Sequence, residues 1–253
     1  MAQRPLATQL AREPSTVEVE HVSKRFGGNF ALKDVSFGVE QGTIFGMIGP
    51  NGSGKTTLLN AINGVYRVTG GIIRYHGREV QNLSPSALLR LGVARTFQNP
   101  HVFLTLTVEE NMMLPTIETG RLDIALRDEI LETLHLGGLV HATASQLSGG
   151  EQKLLEFARA MITRPQVVLM DEPFGGVDAG IKTVMQESIR RWSSAAGTTF
   201  IVVSHEIPDL VQLSSRVVCL AEGTVIAAGT PGEVTADEHV VSVYLGRRYE
   251  RKE

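Results

Sequence analysis

The sequence predicts an α/β fold in which a mixed central sheet carries an antiparallel β subdomain and a helical subdomain. Three observations predict it: the first third reads as short strands joined by tight turns, the middle reads as helix, and after Pro165 apolar strand-like runs alternate with amphipathic segments. Alternation of that last kind implies a parallel sheet with right-handed crossovers.

Residues 1–16 read as a flexible leader, residues 17–246 as a single domain and residues 247–253 as a charged, solvated tail. From Val17, "VEVEHV" alternates, "DVSFGV" follows, and the Gln41-Gly42 turn leads into the apolar run "TIFGMIG". With "GGIIRYHG" these are expected to form an antiparallel patch wrapped around one central strand. "SPSALLRLG" then opens a helix with Ser84 as cap and Pro85 at its first position. From about residue 100 to residue 162 the signals are mainly helical, as in an inserted subdomain: Thr107 with Glu110 makes a capping box, and "RLDIALRDEILETLHL" is amphipathic. In "LSGGEQKLLEFARAM" the residues Leu154, Leu155, Ala158 and Met161, continued by Ile162, form a stripe expected to face a core, with Lys153, Glu156 and Arg159 facing away. Beyond Pro165 the order is strand "QVVLMDEP", helix "GIKTVMQESIRRWSSAA", strand "TTFIVVSHE", helix "PDLVQLS" and a hairpin "RVVCLAEGTVIAAG" turning at Glu222-Gly223.

Composition bounds the function. A chain of 253 residues, 42% hydrophobic and 20% charged, can bury a sizeable core. Its formal net charge of -3 offers no global basic field for nucleic acid, so anion binding must be local. No apolar run approaches the roughly 18 residues of a membrane span, and the first residues lack the apolar core of a signal peptide, which predicts a cytosolic chain. The lone Cys219 among apolar neighbours reads as a buried, inert thiol, and among the histidines only His205 stands where chemistry is expected.

"GPNGSGKT" fits GxxxxGK[ST] and lies between an apolar strand and the helix "TLLNAIN", where a phosphate-binding loop must lie. The loop Gly49, Pro50, Asn51, Gly52, Ser53 and Gly54, with Thr57, would curl its backbone N–H groups, Pro50 excepted, around phosphates. Lys55 would reach the terminal phosphates and the Thr56 hydroxyl would hold Mg²⁺. Strand, loop and helix agree here, so the chain is expected to have a P-loop NTPase fold. "VVLMDEP" sets Asp171 to orient the metal and Glu172 to polarise a water at the carboxyl end of a central strand. His205 ends "TTFIVVS" on the same rim and could link the γ-phosphate to the attacking water. Gln98, in "VARTFQNP", can touch both the metal shell and that water. Ser148, Gly149 and Gly150 form a second phosphate-seeking helix start, which one nucleotide cannot easily share with the first. If two copies pack head to tail, the "LSGGE" turn of each closes over the nucleotide of the other.

The ordered set "GPNGSGKT", Gln98, "LSGGEQK", "VVLMDEP", "GGVD" and His205 resembles the nucleotide-binding subunit of an ATP-binding cassette (ABC) transporter, from Val17 to about Gly246. The resemblance implies the ABC ATPase fold, ATP and Mg²⁺ as cofactors, Phe26 stacking on adenine with Phe30 as the alternative, Asp178 on the loop crossing the dimer, and a surface after Gln98 that docks on membrane subunits. It also implies that Gln98 senses the nucleotide and passes its state to the helical subdomain. More narrowly, "FGGNFALKDVSF", "GVARTFQNPHVFLTLTVEEN", "EQKLLEFARAM" and "VSVYLG" are similar to the ATPases of branched-chain amino acid importers, although the stretch from Leu114 to Leu122 is shorter than in many of these and "GGVDAG" replaces a common Asn. The implied partners are a second ATPase, identical or related, two transmembrane permease subunits and, through them, an extracytoplasmic solute-binding protein, at the cytoplasmic face of the membrane. Urea, amides or another polar solute as cargo, a soluble ABC-type ATPase and a pure nucleotide-binding scaffold are the competing readings.

Overall fold

The computed structural model describes residues 15–120 and 123–249. Strand β1 (Ser15–Phe26) begins two residues before the alternation reads, with Thr16 already buried; residues 1–14 of the expected leader lie outside the described residues. β1 pairs antiparallel with β2 (Asn29–Glu40) on one side and with β4 (Gly70–Tyr75) on the other, and β4 pairs with the two-residue β5 (Arg78–Glu79). β1 and β2 are 12 residues each, not the short strands expected.

A second, six-stranded sheet has the order β10-β9-β3-β8-β7-β6. Its members are β3 (Ile44–Ile48), β6 (Val93–Thr96), β7 (Val167–Asp171), β8 (Thr199–Val203), β9 (Arg216–Ala221) and β10 (Thr224–Gly229). Every pair is parallel except the β9/β10 hairpin. β3 is therefore not wrapped by the antiparallel patch, as the sequence suggested, but sits inside the parallel sheet. The two sheets meet through side chains instead, with Phe37 of β2 stacked on Phe45 of β3 at 5.2 Å between ring centres.

The central strands are apolar on both faces because both faces are covered. Along β3, β7, β8 and β9 successive residues divide between two cores: Ile48, Met170, Val202 and Cys219 enter one, Met47, Leu169, Val203 and Leu220 the other. The second core lies towards the antiparallel sheet and α1 (Lys55–Ile62); the first lies towards the helices. Between β3 and β7 the remaining helices are α2 (Pro85–Arg90), α3 (Val108–Thr119), α4 (Ile124–Thr133) and α5 (Gly149–Met161), the last three forming the inserted helical segment between β6 and β7. Ser84 caps α2 through Ala87 N–H, and the boxes Thr107/Glu110 and Ser148/Glu151 close the starts of α3 and α5.

Beyond β7 run α6 (Ala179–Ala196), α7 (Ile207–Leu213), α8 (Pro231–Ala236) and α9 (Glu238–Tyr249). The last two were not read from the sequence. The signal for α8 was present, since Thr230 and Glu233 form a capping box around Pro231. Helix α9 runs into the expected tail, whose residues 250–253 lie outside the described residues. Among the described residues no helix is long and apolar enough to cross a membrane.

One expectation about α5 fails in an informative way. Leu154, Leu155, Ala158, Met161 and Ile162 are buried as expected, yet Glu156 is only 5% exposed, while Lys153 and Arg159 are part-covered by neighbouring loops. Charged residues at this spacing mark a solvent face only when nothing else needs them; here backbone groups of two loops do.

Candidate functional site

The "GPNGSGKT" loop leaves β3 and turns into α1 through backbone shapes that require glycine. Gly49 has φ 148°, and a Cβ there would lie 2.2 Å from the Leu220 carbonyl oxygen. Gly54 has φ 105° and would meet the Ala31 carbonyl at 2.7 Å, because β2 runs close beside the loop. The β9/β10 turn bridges the two: Gly223 N–H donates to Ser53 O at 3.0 Å and Gly223 O accepts from Lys33 N–H at 2.7 Å. Lys55 is buried, its Nζ donating to the carbonyls of Gly49 at 2.7 Å and Pro50 at 3.0 Å.

Three neighbouring strands, β3, β8 and β7, bring their carboxyl ends to this place. Asp171 ends β7, Glu172 follows it and His205 lies just past β8. A cavity of about 340 Å³ is lined by Asn51, Gly52, Ser53, Gly54, Lys55, Thr56 and Thr57 with Gln98, Glu172 and His205. With Ala31 of β2 also on its wall, residues from five separate stretches of chain share one space.

Glu172 sits in the left-handed region at φ 51°, its N–H donating to Val203 O at 2.9 Å. Its Oε2 accepts from His205 Nδ1 at 2.7 Å and from His205 N–H at 3.2 Å. With Nδ1 protonated towards the carboxylate, a neutral imidazole keeps Nε2 as an acceptor. The two residues are a bonded pair, which their separate positions in the sequence did not reveal. Lys153 of α5 donates to Glu172 O at 3.2 Å and Gly175 O at 2.6 Å, holding this turn from below, and burial lowers its ammonium below the ordinary lysine value.

Asp171 is buried and faces Thr56, whose Oγ1 donates to Oδ1 at 3.4 Å. Burial raises its carboxyl above the ordinary range; Arg95, with Nη2 at 3.5 Å from Oδ2, opposes that shift. Arg95 of β6 also donates to Asn60 Oδ1 at 2.6 Å. Arg95 and Lys153 are the site's neighbours that sequence reasoning missed; a basic residue in a buried strand facing another strand's aspartate was the available signal.

Other expected residues stand apart from this cavity. Ser148, Gly149 and Gly150 do not line it: Ser148 and Glu151 bond each other's N–H groups at 3.2 and 2.7 Å, Gly149 faces open space, and a Cβ on Gly150 would sit 3.0 Å from Ile181 of α6. One glycine of that turn thus has a packing reason, whereas the other presents backbone outward. Asp178 is exposed and caps α6, accepting from Gly180 N–H at 2.8 Å and Ile181 N–H at 3.0 Å. Phe26 and Phe30 are 45% and 49% exposed, so neither is core; Phe26 lies edge-on to Tyr66 with Lys24 above its ring, and Phe30 lies under Arg25. Cys219 is buried and its thiol is pushed up to about 12 by that burial.

Comparison with known proteins bears on the whole chain. Residues 32–175 match the family described as ABC transporter, and residues 224–250 the one described as branched-chain amino acid ATP-binding cassette transporter. The high-affinity branched-chain amino acid transport ATP-binding protein BraF of Pseudomonas aeruginosa is 32% identical over 248 residues, 91% of this chain and 97% of its own. A probable branched-chain amino acid transport ATP-binding protein, LivG of Archaeoglobus fulgidus, is 36% identical over 245 residues, 91% of this chain and 95% of its own. Among solved structures, an ATP-binding cassette of an ABC transporter in its ADP conformation superposes with a TM-score of 0.84 at 31% identity, covering 92% of this chain and 99% of that one. A dimeric bacterial ABC transporter cassette gives a TM-score of 0.78 at 26% identity, covering 85% and 98%.

Proposed function

Since the chain belongs to the ABC transporter family, we propose that it couples ATP hydrolysis at this cavity to the import of branched-chain amino acids. It is an ATP-binding and hydrolysing subunit of such a transporter. The observation that carries the mechanism is the convergence of the phosphate loop, Gln98 and the bonded Glu172–His205 pair in one cavity. The backbone N–H groups from Asn51 to Thr57 cradle the phosphates, and Lys55 exchanges its two carbonyl partners for phosphate oxygens. Glu172 takes the proton of the attacking water, held in orientation by His205 Nδ1, while His205 Nε2 accepts from that water and Gln98 faces the reacting group from the same cavity.

Mg²⁺ fits the residues present. The Thr56 hydroxyl and the Asp171 carboxylate lie 3.4 Å apart as adjoining oxygen donors beside Gln98, and an ion that retains most of its water needs few protein ligands. Bound there, the ion neutralises charge on the phosphates; Arg95 keeps Asp171 aimed at Thr56. Phe26, or Phe30 in its place, covers the adenine.

Gly149 has open space beside it and the turn does not line the cavity of its own chain, so Ser148, Gly149 and Gly150 serve a partner's nucleotide in an ATP-closed dimer of this chain with itself or a related ATPase, with Asp178 on the shared boundary. Two membrane permeases dock on the surface after Gln98, and the chain works at the cytoplasmic face of the membrane. The names of the relatives support the cargo. The test is to capture the tagged chain from gently solubilised membranes and assay amino acid uptake in cells lacking it. Two polytopic partners and lost leucine uptake support the reading; purely soluble recovery with unchanged uptake overturns the import role.

A further inference from the structure

The charged face of α5 points inward, and its middle member has an unusual set of partners. Glu156 Oε2 accepts from Phe97 N–H at 3.0 Å and Oε1 accepts from His101 N–H at 2.8 Å. One buried carboxylate therefore binds both ends of the five-residue segment that contains Gln98. The segment is closed on itself as well, because the Phe97 and His101 rings stack at 4.3 Å and 16°. One turn along α5, Arg159 donates to His101 O and lies over Phe103, pinning the same segment a second time.

This segment is a wall between two spaces. Gln98 lines the nucleotide cavity; Phe97, His101, Glu156 and Arg159 line a neighbouring cavity of about 300 Å³. Glu156 does not reach the nucleotide cavity itself. Filling space does not explain it, since an apolar side chain of that size would avoid the cost of burying a carboxylate. A carboxylate offers what the segment needs, two acceptor oxygens for two otherwise unpaired N–H groups.

We propose that Glu156 is a positioning residue that sets Gln98 at the reacting phosphate and ties it to α5, the helix whose first turn carries Ser148 and Gly149. The inference rests on the reading of Gln98 given above. Glutamine in its place keeps one acceptor and turns an NH₂ against the other N–H, so one end of the segment is released without loss of volume.

The test compares the full chain with Glu156→Gln, Gln98→Ala and the double variant, measuring ATP turnover with Mg²⁺ and affinity for a fluorescent ATP analogue. Glu156→Gln is expected to lower kcat roughly tenfold through misplacement alone, with KM and analogue affinity within about twofold. The double variant is expected to turn over within about twofold of Gln98→Ala, because both changes remove one function. Full turnover in Glu156→Gln, or losses that multiply in the double variant, would overturn the proposal. Wild-type turnover in Gln98→Ala would instead remove Gln98 from the mechanism, and with it anything that acts through it. If Glu156→Gln does not fold, amide exchange on the wild-type chain decides: protection of both Phe97 and His101 N–H is expected, and fast exchange at either overturns the proposal.

Discussion

At the residue scale the site depends on a few groups whose state is set by their neighbours. Glu172→Gln keeps the shape of the pair with His205 and removes the base, so turnover should fall about 10²- to 10⁴-fold with ATP affinity retained. Steady-state kinetics beside equilibrium ATP binding checks this, and undiminished turnover removes Glu172 from the role. Cys219, with its thiol raised to about 12, should not react with a thiol reagent in the native protein near neutral pH and should react at once in denaturant. Burial also holds the Glu156 carboxyl above its ordinary 4.5, so as pH rises past that value the unfolded chain loses this proton before the folded chain does. The stability this proton confers is full below the ordinary value and is lost as pH rises through the folded one. Urea titrations from pH 4.5 towards neutrality should therefore show wild type losing ground to Glu156→Gln; a constant difference would deny burial its dominant part. Lys55, the Asp171–Glu172 pair, Gln98 and His205 were legible in the sequence because each stands in a local pattern. Arg95, Lys153 and Glu156 were not, since their partners are 76, 19 and 59 residues away or similarly remote.

At the element scale, glycines that look alike in the sequence do different work. Gly49→Ala puts a methyl 2.2 Å from a backbone carbonyl in a left-handed conformation, and should cost about 3 to 5 kcal/mol, seen as a melting temperature lowered by roughly 10 °C. Gly149→Asp places a side chain in open space at a helix start, where a carboxylate is welcome; thermal stability should be unchanged while ATP-driven dimerisation is lost. Melting curves and sedimentation in ATP measure both, and intact dimerisation of Gly149→Asp would refute the shared site. Caps and the P-loop helix could be read from a few adjacent residues because they are closed by adjacent residues. The length of β1 and β2 could not, since a 12-residue strand is sustained by pairing with another strand rather than by its own alternation.

At the scale of the whole molecule, two cores meet on the two faces of one parallel sheet, and the nucleotide cavity opens at its carboxyl edge. On the function proposed above, a second chain brings the turn at Ser148 to that edge. Glu172→Gln should therefore accumulate as a dimer in ATP and Mg²⁺, whereas wild type returns to monomer as ATP is consumed; light scattering over a hydrolysis time course separates the two. The order of strands in the mixed sheet, 10-9-3-8-7-6, follows from no local pattern, yet it is what brings residues 51–57, 98, 171–172 and 205 together. By itself the sequence determined most of the backbone segments that become strand, helix and phosphate loop, and which side chains are candidates for the chemistry, because those choices are made by residues within a few positions of one another. Only the tertiary structure decided that Glu172 bonds His205, that the charged stripe of α5 turns inward to hold two loops, and that β3 lies inside one sheet rather than under another. Each of those depends on desolvated groups finding partners across tens of residues, and burial makes such pairings obligatory without writing them into any local run of the chain.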